Sequence, residues 1–365
     1  MRWANAHSLP VVTWDSFGGD VDSGLSKYDI TQDYAWNFDH VPESIRLVAA
    51  SVGGDWSYCG VAVDSPLGIA AGPLLNGEWL LYYASLGFDV LTYKTVRSCE
   101  RASYGLPNLQ PIAWEGGVVP PELEVTNKMN GSWAVSFGMP SKPPSFWRDD
   151  VAVTRSRLAK GKFLSVSVVA TAEDGWSIDD LAADYAQCAR WAVESGADGV
   201  EANFSCPNVS SVDGQLFLNP IDAGIVAAKL REAIPDTPLL LKVGYIKDPE
   251  TAHALLEAVA PFADALVMVN GLSAKVRKHN AELLFEGQCR GIAGKAVRET
   301  AFEQLAMFDG LIREFGFDMC LVGVGGFGQA ADVRACLDRG CEAVQFATAA
   351  MLNPGLGLAI RREGF

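Results

Sequence analysis

A cysteine stands between two asparagines in the segment EANFSCPN, residues 201–208. The segment follows an apolar run and contains an acid, two amides and the thiol of Cys206. A buried strand seldom ends in so many groups that require hydrogen bonds, because an unpaired polar group in the interior costs free energy. Asn203, Cys206 and Asn208 are therefore candidate site residues.

Polar residues or glycines also follow or end five other apolar runs of the chain. They are Lys94 and Thr95, Lys242, Asn270, Gly325 and Gly326, and Thr348. Taken singly, each could equally be a capping or loop residue. Their recurrence at equivalent places favours one shared site, in a fold that brings the ends of these runs together.

The segment LVGVGGFGQAADVRACL has the pattern of a strand, a glycine turn and a helix, and EAVQFATAAM follows it as a strand and a turn. In a barrel of alternating strands and helices, the loops after strands seven and eight form a phosphate site from backbone N–H groups. The stretch GVGGFG in the first segment also satisfies the pattern G-x-G-x-x-G, which normally opens a dinucleotide-binding domain. Here the pattern falls near the C terminus, so the barrel phosphate site is favoured.

Lys242 ends a buried run, and a lysine in this position could stabilise a reduced flavin. Reduced flavin carries negative charge at its N1–C2=O edge, which a nearby ammonium group neutralises. The alternative is a lysine with a buried stem whose ammonium group pairs with a carboxylate. The sequence is compatible with both interpretations.

Short apolar runs alternate with amphipathic segments from Pro66 onward and must position these residues. Eight runs are predicted strands: 66–72, 89–95, 164–170, 198–204, 238–244, 264–270, 319–325 and 342–348. The predicted helices are 177–196, 220–233, 250–260, 296–314 and 328–339. Near-continuous apolar runs are typical of parallel strands buried on both faces. The pattern predicts an α/β fold, a (β/α)8 TIM barrel, with a doubly wound open sheet as the alternative.

Two regions lie outside this repeat. Residues 1–62 contain many Trp, Tyr, Asp and Gly residues without a clear period. We expect them to form an N-terminal extension packed on the barrel of residues 63–365. Residues 96–163, between strands two and three, are predicted to be a long insertion after strand 2 at the rim of the active site, where long loops usually carry functional residues.

The composition narrows the classes of function. The chain has 365 residues and a formal net charge of −15, which opposes binding to nucleic acid or to anionic lipid surfaces. No membrane span is predicted, because no uncharged apolar run reaches about 18 residues. No signal peptide is predicted, because the first residues lack a basic stretch followed by an apolar one. The eight cysteines and four histidines contain no C-x-x-C or H-x-x-x-H pair. We therefore predict no metal site, and mostly reduced thiols in a cytoplasmic protein.

Four features of the chain resemble the dihydroorotate dehydrogenase family. They are the motif N-F-S-C-P-N, the Lys-Thr pair after strand two, the lysine after strand five and the V-G-G-F…A-T ending. The resemblance extends from about Pro66 to Leu356 and includes LGIAAGPLLNGE at the first strand. The related tRNA-dihydrouridine synthases carry a G-C-P version of the motif and an additional RNA-binding domain, and neither is found here. The resemblance implies an FMN-dependent barrel that oxidises dihydroorotate to orotate in pyrimidine biosynthesis. We also expect a homodimer that acts on a small, dihydropyrimidine-like substrate.

The same resemblance implies roles for individual residues. Cys206 would be the general base that removes the C5 proton while a hydride passes from C6 to flavin N5, as in the soluble class of the family. Lys94 would lie between flavin and substrate. The implied cofactor residues are Ala71, Gly72, Lys94, Thr95, Asn203, Lys242, Val269, Gly294, Gly325, Gly326, Ala347 and Thr348. The implied substrate residues are Ser136, Phe137, Gly138, Met139, Asn203, Asn208, Asn270 and Gly271.

Two positions depart from the family pattern. The substrate loop of the family typically reads N-S-M-G-L-P-N, whereas residues 135–141 of this chain read VSFGMPS, with Val135 in place of an amide. The asparagine on strand six is typically followed by Ser or Thr, but here by Gly271. We expect weaker orotate binding, because a missing hydrogen bond leaves buried partners unpaired.

Two other functions are compatible with the residues. One is a divergent FMN oxidoreductase that acts on another CH–CH or C=C substrate, and the other is a flavin-free barrel that serves as a binding protein. Assays of dihydroorotate oxidation and of absorbance at about 450 nm separate the three functions. The sequence does not specify the electron acceptor. Without iron–sulfur spacing or an NAD domain, electrons must leave through a second substrate or a partner.

Overall fold

The structure is a computed structural model that describes residues 25–44, 49–114, 116–205 and 212–365. Its strands are, in chain order, β1 (Trp56–Tyr58), β2 (Val61–Val63), β3 (Leu67–Ile69), β4 (Val90–Val96), β5 (Leu109–Ala113), β6 (Glu122–Val125), β7 (Ser132–Val135), β8 (Phe163–Val168), β9 (Gly199–Asn203), β10 (Leu239–Lys242), β11 (Ala265–Met268), β12 (Leu272–Arg277), β13 (Arg290–Gly294), β14 (Cys320–Val324) and β15 (Cys341–Phe346). Its α-helices are α1 (Tyr34–Asp39), α2 (Gly77–Ser85), α3 (Pro144–Arg157), α4 (Ile178–Glu194), α5 (Pro220–Ala233), α6 (Pro249–Val259), α7 (Arg298–Phe315), α8 (Ala330–Leu337), α9 (Thr348–Leu352) and α10 (Leu356–Glu363).

Eight parallel strands close into a barrel in the order β3, β4, β8, β9, β10, β11, β14 and β15. β15 pairs with β3 to complete the ring. Each of the eight predicted strands overlaps one barrel strand, so the predicted TIM barrel is confirmed and the open-sheet alternative is wrong. The predicted helices are also present; Ser177 is the N-cap of α4, and its side chain forms a capping box with Asp180.

Inward-pointing side chains of the strands fill the barrel with apolar and small polar residues. The hairpin of β1 and β2 places Tyr58 against Phe163, the first residue of β8, with ring centroids 4.8 Å apart. Above this aromatic pair, Thr92 accepts hydrogen bonds from Ser165 at 2.9 Å and from Gln345 at 3.1 Å. The amino-terminal end of the barrel is therefore filled, and the opposite end is available for a site.

A second, smaller barrel of five strands lies beside the carboxyl ends of the large one. Its order is β12, β13, β7, β5 and β6, and β6 pairs with β12 to close it. Side chains such as Ile112, Leu123 and Ile292 fill its core. The insertion 96–163 supplies three of these strands as well as α3, the crossover helix between β4 and β8. The other two come from the segment after β11, which the sequence analysis did not predict to contain strands.

Residues 25–40 pack against the first barrel unit through hydrogen bonds to the backbone of α1. The indole Nε1 of Trp79 donates to the carbonyl oxygen of Asn37 at 2.9 Å. The side-chain amide of Asn76 donates to the carbonyl oxygen of Phe38 at 2.8 Å. These bonds fix α1 beside the barrel mouth, where Tyr34 is buried.

Two findings concern the described residues as a whole. None of their helices is both long enough and apolar enough to span a membrane. The seven cysteines among them are all free; Cys99 and Cys289 are exposed, and the other five are buried or partly buried.

Candidate functional site

Four polar side chains lie at the carboxyl ends of four barrel strands and line one cavity. Lys94 lies near the end of β4, Asn203 ends β9, Lys242 ends β10 and Asn270 follows β11. The first three are buried, and Asn270 is partly buried. The closed barrel brings these strand ends together, as the recurrence of polar residues in the sequence predicted.

Two adjoining cavities open at this end of the barrel. The larger, about 480 Å³, is lined by the glycine turn after β14 and by the start of α9. The smaller, about 170 Å³, lies at the barrel mouth and is lined by both lysines. The two share five lining residues, Asn270, Ala293, Val324, Ala347 and Thr348. One elongated ligand could therefore occupy both.

Glycines form the wall of the larger cavity, and side chains would not fit there. Gly325 and Gly326 have φ values of +130° and +77°. A Cβ atom on Gly326 would lie 2.4 Å from the carbonyl oxygen of Gly294, and one on Gly294 would lie 2.1 Å from that of Gly131. The turn therefore exposes backbone rather than side chains to the cavity, which is how barrels of this class bind phosphate.

An ion pair beside the glycine turn holds its shape. Asp332 accepts a hydrogen bond from the backbone N–H of Gly328 at 2.8 Å and another from Nε of Arg298 at 2.9 Å. The Asp332 carboxylate is nearly completely buried. The arrangement links the turn after β14 to the start of α7, and both segments line the larger cavity.

The smaller cavity has largely apolar walls from the extension and the insertion. Tyr34, Trp133, Val135, Phe137 and Met139 all line it. The rings of Tyr34 and Phe137 meet edge to face with centroids 6.1 Å apart. This surface suits a flat, mostly apolar ring system, with polar groups supplied only at the strand ends.

The two asparagines at the mouth bind the backbone of Ser205. Asn203 Oδ1 accepts a hydrogen bond from the N–H of Ser205 at 3.1 Å. Asn270 Nδ2 donates to the carbonyl oxygen of Ser205. Ser205, the residue before Cys206, is thus bound by both amides. The side chains of Asn203 and Asn270 also line the cavity.

Lys242 pairs with a carboxylate and also lines the smaller cavity. Its Nζ lies 3.9 Å from Oε1 of Glu201, which is completely buried. Burial raises the pKa of the Glu201 carboxyl, and the charge of Lys242 opposes that rise. Lys242 therefore pairs with an acid, as one interpretation of the sequence requires, and it lines a cavity. Its action on a flavin stays a prediction.

The structure brings most of the predicted site residues together. Those on the larger cavity are Val269, Asn270, Gly294, Gly325, Gly326, Ala347 and Thr348. Those on the smaller are Ala71, Gly72, Lys94, Thr95, Phe137, Met139, Asn203, Lys242, Asn270, Gly271, Ala347 and Thr348. Ser136 and Gly138 line neither cavity; the Ser136 hydroxyl accepts a hydrogen bond from Arg290 at 2.8 Å. Cys206 and Asn208 lie outside the described residues.

Several lining residues were missed by the sequence analysis. Tyr34, Trp133, Gly291 and Ile292 line the smaller cavity, and Trp114, Lys295, Arg298 and Asp332 line the larger. Most lie in the extension or in the five-stranded barrel, where no strand end marks them. Among the described residues, no group of three or more His, Cys, Asp and Glu side chains could hold a metal ion.

Comparison with known proteins identifies relatives along most of the chain. The dihydroorotate dehydrogenase family model matches residues 136–360. A dihydroorotate dehydrogenase of Dictyostelium discoideum is 29% identical over 359 residues, which cover 91% of this chain and 95% of that protein. A dihydroorotate dehydrogenase (quinone) of Clavibacter michiganensis is 26% identical, covering 80% of this chain and 78% of the relative.

A solved structure shows the same fold. The crystal structure of the dihydroorotate dehydrogenase of Eimeria tenella in complex with ferulenol superposes with a TM-score of 0.71. The superposition covers 93% of this chain and 92% of that one at 14% identity. At this level of identity, the likeness supports the barrel architecture alone.

Gly326→Ala tests the glycine wall. The added methyl group would clash with the carbonyl oxygen of Gly294 in a backbone that disfavours side chains. We expect millimolar inorganic phosphate to raise the Tm of the wild type over that in sodium chloride of equal ionic strength. The variant should be destabilised by about 1–3 kcal/mol and should lose this rise.

Gly310→Ala is the matched control, because Gly310 lies on α7 with open space around it. We expect it to keep the phosphate response of the wild type. A Gly326→Ala protein with the full phosphate response would contradict the assignment of this wall.

Proposed function

The chain belongs to the dihydroorotate dehydrogenase family, and we propose that it binds FMN and oxidises dihydroorotate to orotate. The observation that carries the proposal is the pair of adjoining cavities, one walled by glycine backbone and the other by two lysines and two asparagines. A cofactor with a phosphate at one end and a flat ring at the other suits this division.

The residues of the larger cavity fit the phosphate end of FMN. Backbone N–H groups of Gly294, Gly325 and Gly326 would bind the phosphate, with the hydroxyl of Thr348 as a further donor. The ring would lie toward the smaller cavity, where Lys242 provides positive charge and apolar side chains exclude water. When bound, FMN supplies a hydride acceptor.

The smaller cavity would also hold the substrate. Asn203 and Asn270 present amides, which can hydrogen-bond to the ring amides and carboxylate of a dihydropyrimidine. Lys94 lies at the same mouth and adds a positive charge. From the sequence motif we assign Cys206 as the base that takes the C5 proton, and Asn208 as a further substrate ligand. A cytoplasmic homodimer stays a prediction from the sequence.

The proposal is tested by adding dihydroorotate to the FMN-loaded protein without oxygen. We expect absorbance at about 450 nm to fall as the flavin is reduced, and one molecule of orotate to form for each flavin reduced. A protein that does not retain FMN would refute the flavin assignment. A flavin-loaded protein that dihydroorotate leaves unchanged would refute the substrate assignment.

Cys206→Ser tests the assigned base. A serine hydroxyl is a much weaker base than a thiolate, so we expect substrate-driven loss of absorbance to slow by about 100-fold or more. FMN affinity should be unchanged, because the glycine wall is untouched. Cys99→Ser is the control, since Cys99 is exposed and lines neither cavity. Equal rates in the wild type and the Cys206→Ser protein would exclude Cys206 from proton transfer.

A second candidate function is supported by Val135 and Gly271, which both line the smaller cavity. A valine and a glycine offer no side-chain hydrogen bond to a polar ring. These two positions would suit a less polar CH–CH or C=C substrate. Oxidation of such a compound faster than dihydroorotate would identify a divergent FMN oxidoreductase of the family.

Val135→Asn tests the effect of the missing amide. We expect the affinity for orotate to rise roughly fivefold, because one hydrogen bond contributes about 1 kcal/mol net. The measurement is a titration of orotate against the flavin spectrum. Val118→Asn is the control, since Val118 is 93% exposed. An affinity that is unchanged or lower would mean that position 135 does not limit orotate binding.

A further inference from the structure

Glu201 is a completely buried acid to which the proposed chemistry gives no role. It lies on β9, two residues before Asn203, with its side chain in the barrel interior. Neither of its carboxyl oxygens has a hydrogen-bond partner of good geometry among the described residues. Its nearest opposite charge is Nζ of Lys242, 3.9 Å from Oε1.

Packing does not explain a carboxylate at this position. Burying a charge costs several kcal/mol unless close pairing and hydrogen bonds compensate. The neighbouring interior polar residues Thr92, Ser165 and Gln345 are neutral and hydrogen-bonded to one another. A glutamine would fill the volume of Glu201 without the cost of burying a charge. The acid is therefore better explained by what it does to Lys242.

The Lys242 ammonium group and the Glu201 carboxylate lie at different depths along the barrel axis. Lys242 lines the ligand cavity, whereas Glu201 does not. Glu201 pairs in register with Leu240, and Lys242 with Asn203, so the acid lies one interior layer deeper than the lysine. Any ligand in the mouth meets the ammonium group first, with the carboxylate behind it.

We propose that Glu201 is a positioning residue that holds the Lys242 ammonium group and limits the positive charge it presents to the flavin, and that it thereby sets the reduction potential of bound FMN. The inference rests on the proposed function, because it requires FMN in the mouth. Reduced flavin carries negative charge at its N1–C2=O edge, which a cation stabilises and an anion behind that cation opposes. Wild-type FMN should therefore be harder to reduce than FMN facing Lys242 alone.

The charge state of Glu201 determines the pH at which the reduction potentials should be compared. The titratable groups that face it are Lys242 and Tyr58, and the hydroxyl of Ser167 is also near. Tyr58 stays neutral, because burial raises the pKa of its hydroxyl. Burial also raises the pKa of Glu201. Potentials should therefore be measured at several pH values, and the effect of Glu201→Gln should grow as the pH rises and the carboxyl ionises.

Glu201→Gln removes the charge and keeps the shape of the side chain. We expect the ratio of FMN affinities, reduced over oxidised, to rise about tenfold. This tenfold rise corresponds to a shift of the midpoint potential by about 30 mV to more positive values, for a two-electron couple. Ser165→Ala is the matched control: it removes a buried interior polar group but no charge, and it should leave the potential unchanged.

The same change in a Lys242→Met background tests whether Glu201 acts through the lysine. Lys242→Met alone should make the potential more negative, because a cation near the flavin is lost. Loss of the cation raises the pKa of Glu201 further, so we expect Glu201→Gln to shift the potential less in this background than in the wild type. This non-additivity is the sign of a shared interaction. An equal shift in both backgrounds would overturn the role through Lys242.

An unchanged potential in Glu201→Gln, with FMN bound normally, would overturn the inference while leaving the proposed function intact. Failure of the wild type to bind FMN would overturn both. If Glu201→Gln does not fold, Glu201→Asp decides. Its shorter side chain withdraws the carboxylate from Lys242, so we expect a smaller shift of the same sign, and no shift would overturn the inference.

Discussion

Closure of the eight-stranded parallel sheet is the constraint on which the rest of the structure depends. A closed sheet pairs every strand on both sides, so no edge is exposed and each strand has a fixed register to its neighbours. Parallel direction then places all carboxyl ends at one mouth. Residues as distant in the chain as Lys94 and Thr348 become neighbours for this reason.

The candidate site divides its work between backbone and side chains. One wall of the larger cavity consists of glycine turns in which an added side chain would clash with the backbone. The buried carboxylate of Asp332 accepts a hydrogen bond from one of these turns. The smaller cavity depends on side chains: two lysines and two asparagines within apolar walls. The larger cavity is suited to a group common to many ligands, such as phosphate, whereas single replacements would alter the side chains of the smaller one, Val135 among them.

The sequence predicted the barrel because its strands are apolar on both faces and end in polar residues or glycines. It could not predict β12, because its residues are only partly buried, or β13, because the segment RGIAG is short and holds an arginine and two glycines. The pairing of both strands with β6 and β7 depends on tertiary contacts. Tyr34 was missed because the extension has no period that marks a buried face. The contact of Lys242 with Glu201 depends on the register of β9 and β10, which the order of residues does not reveal.

The five-stranded barrel is shared between two insertions, and this limits how the site can change. β7 from the first insertion pairs with β13 from the second, and both contribute to the wall of the smaller cavity. Replacing either insertion alone would leave the other with unpaired backbone groups beside the ligand. Substrate range in this chain should therefore diversify by coordinated exchange of two distant segments, or by point replacements within them. The wall can form only after β13 has been synthesised, which makes ligand binding a late event in folding.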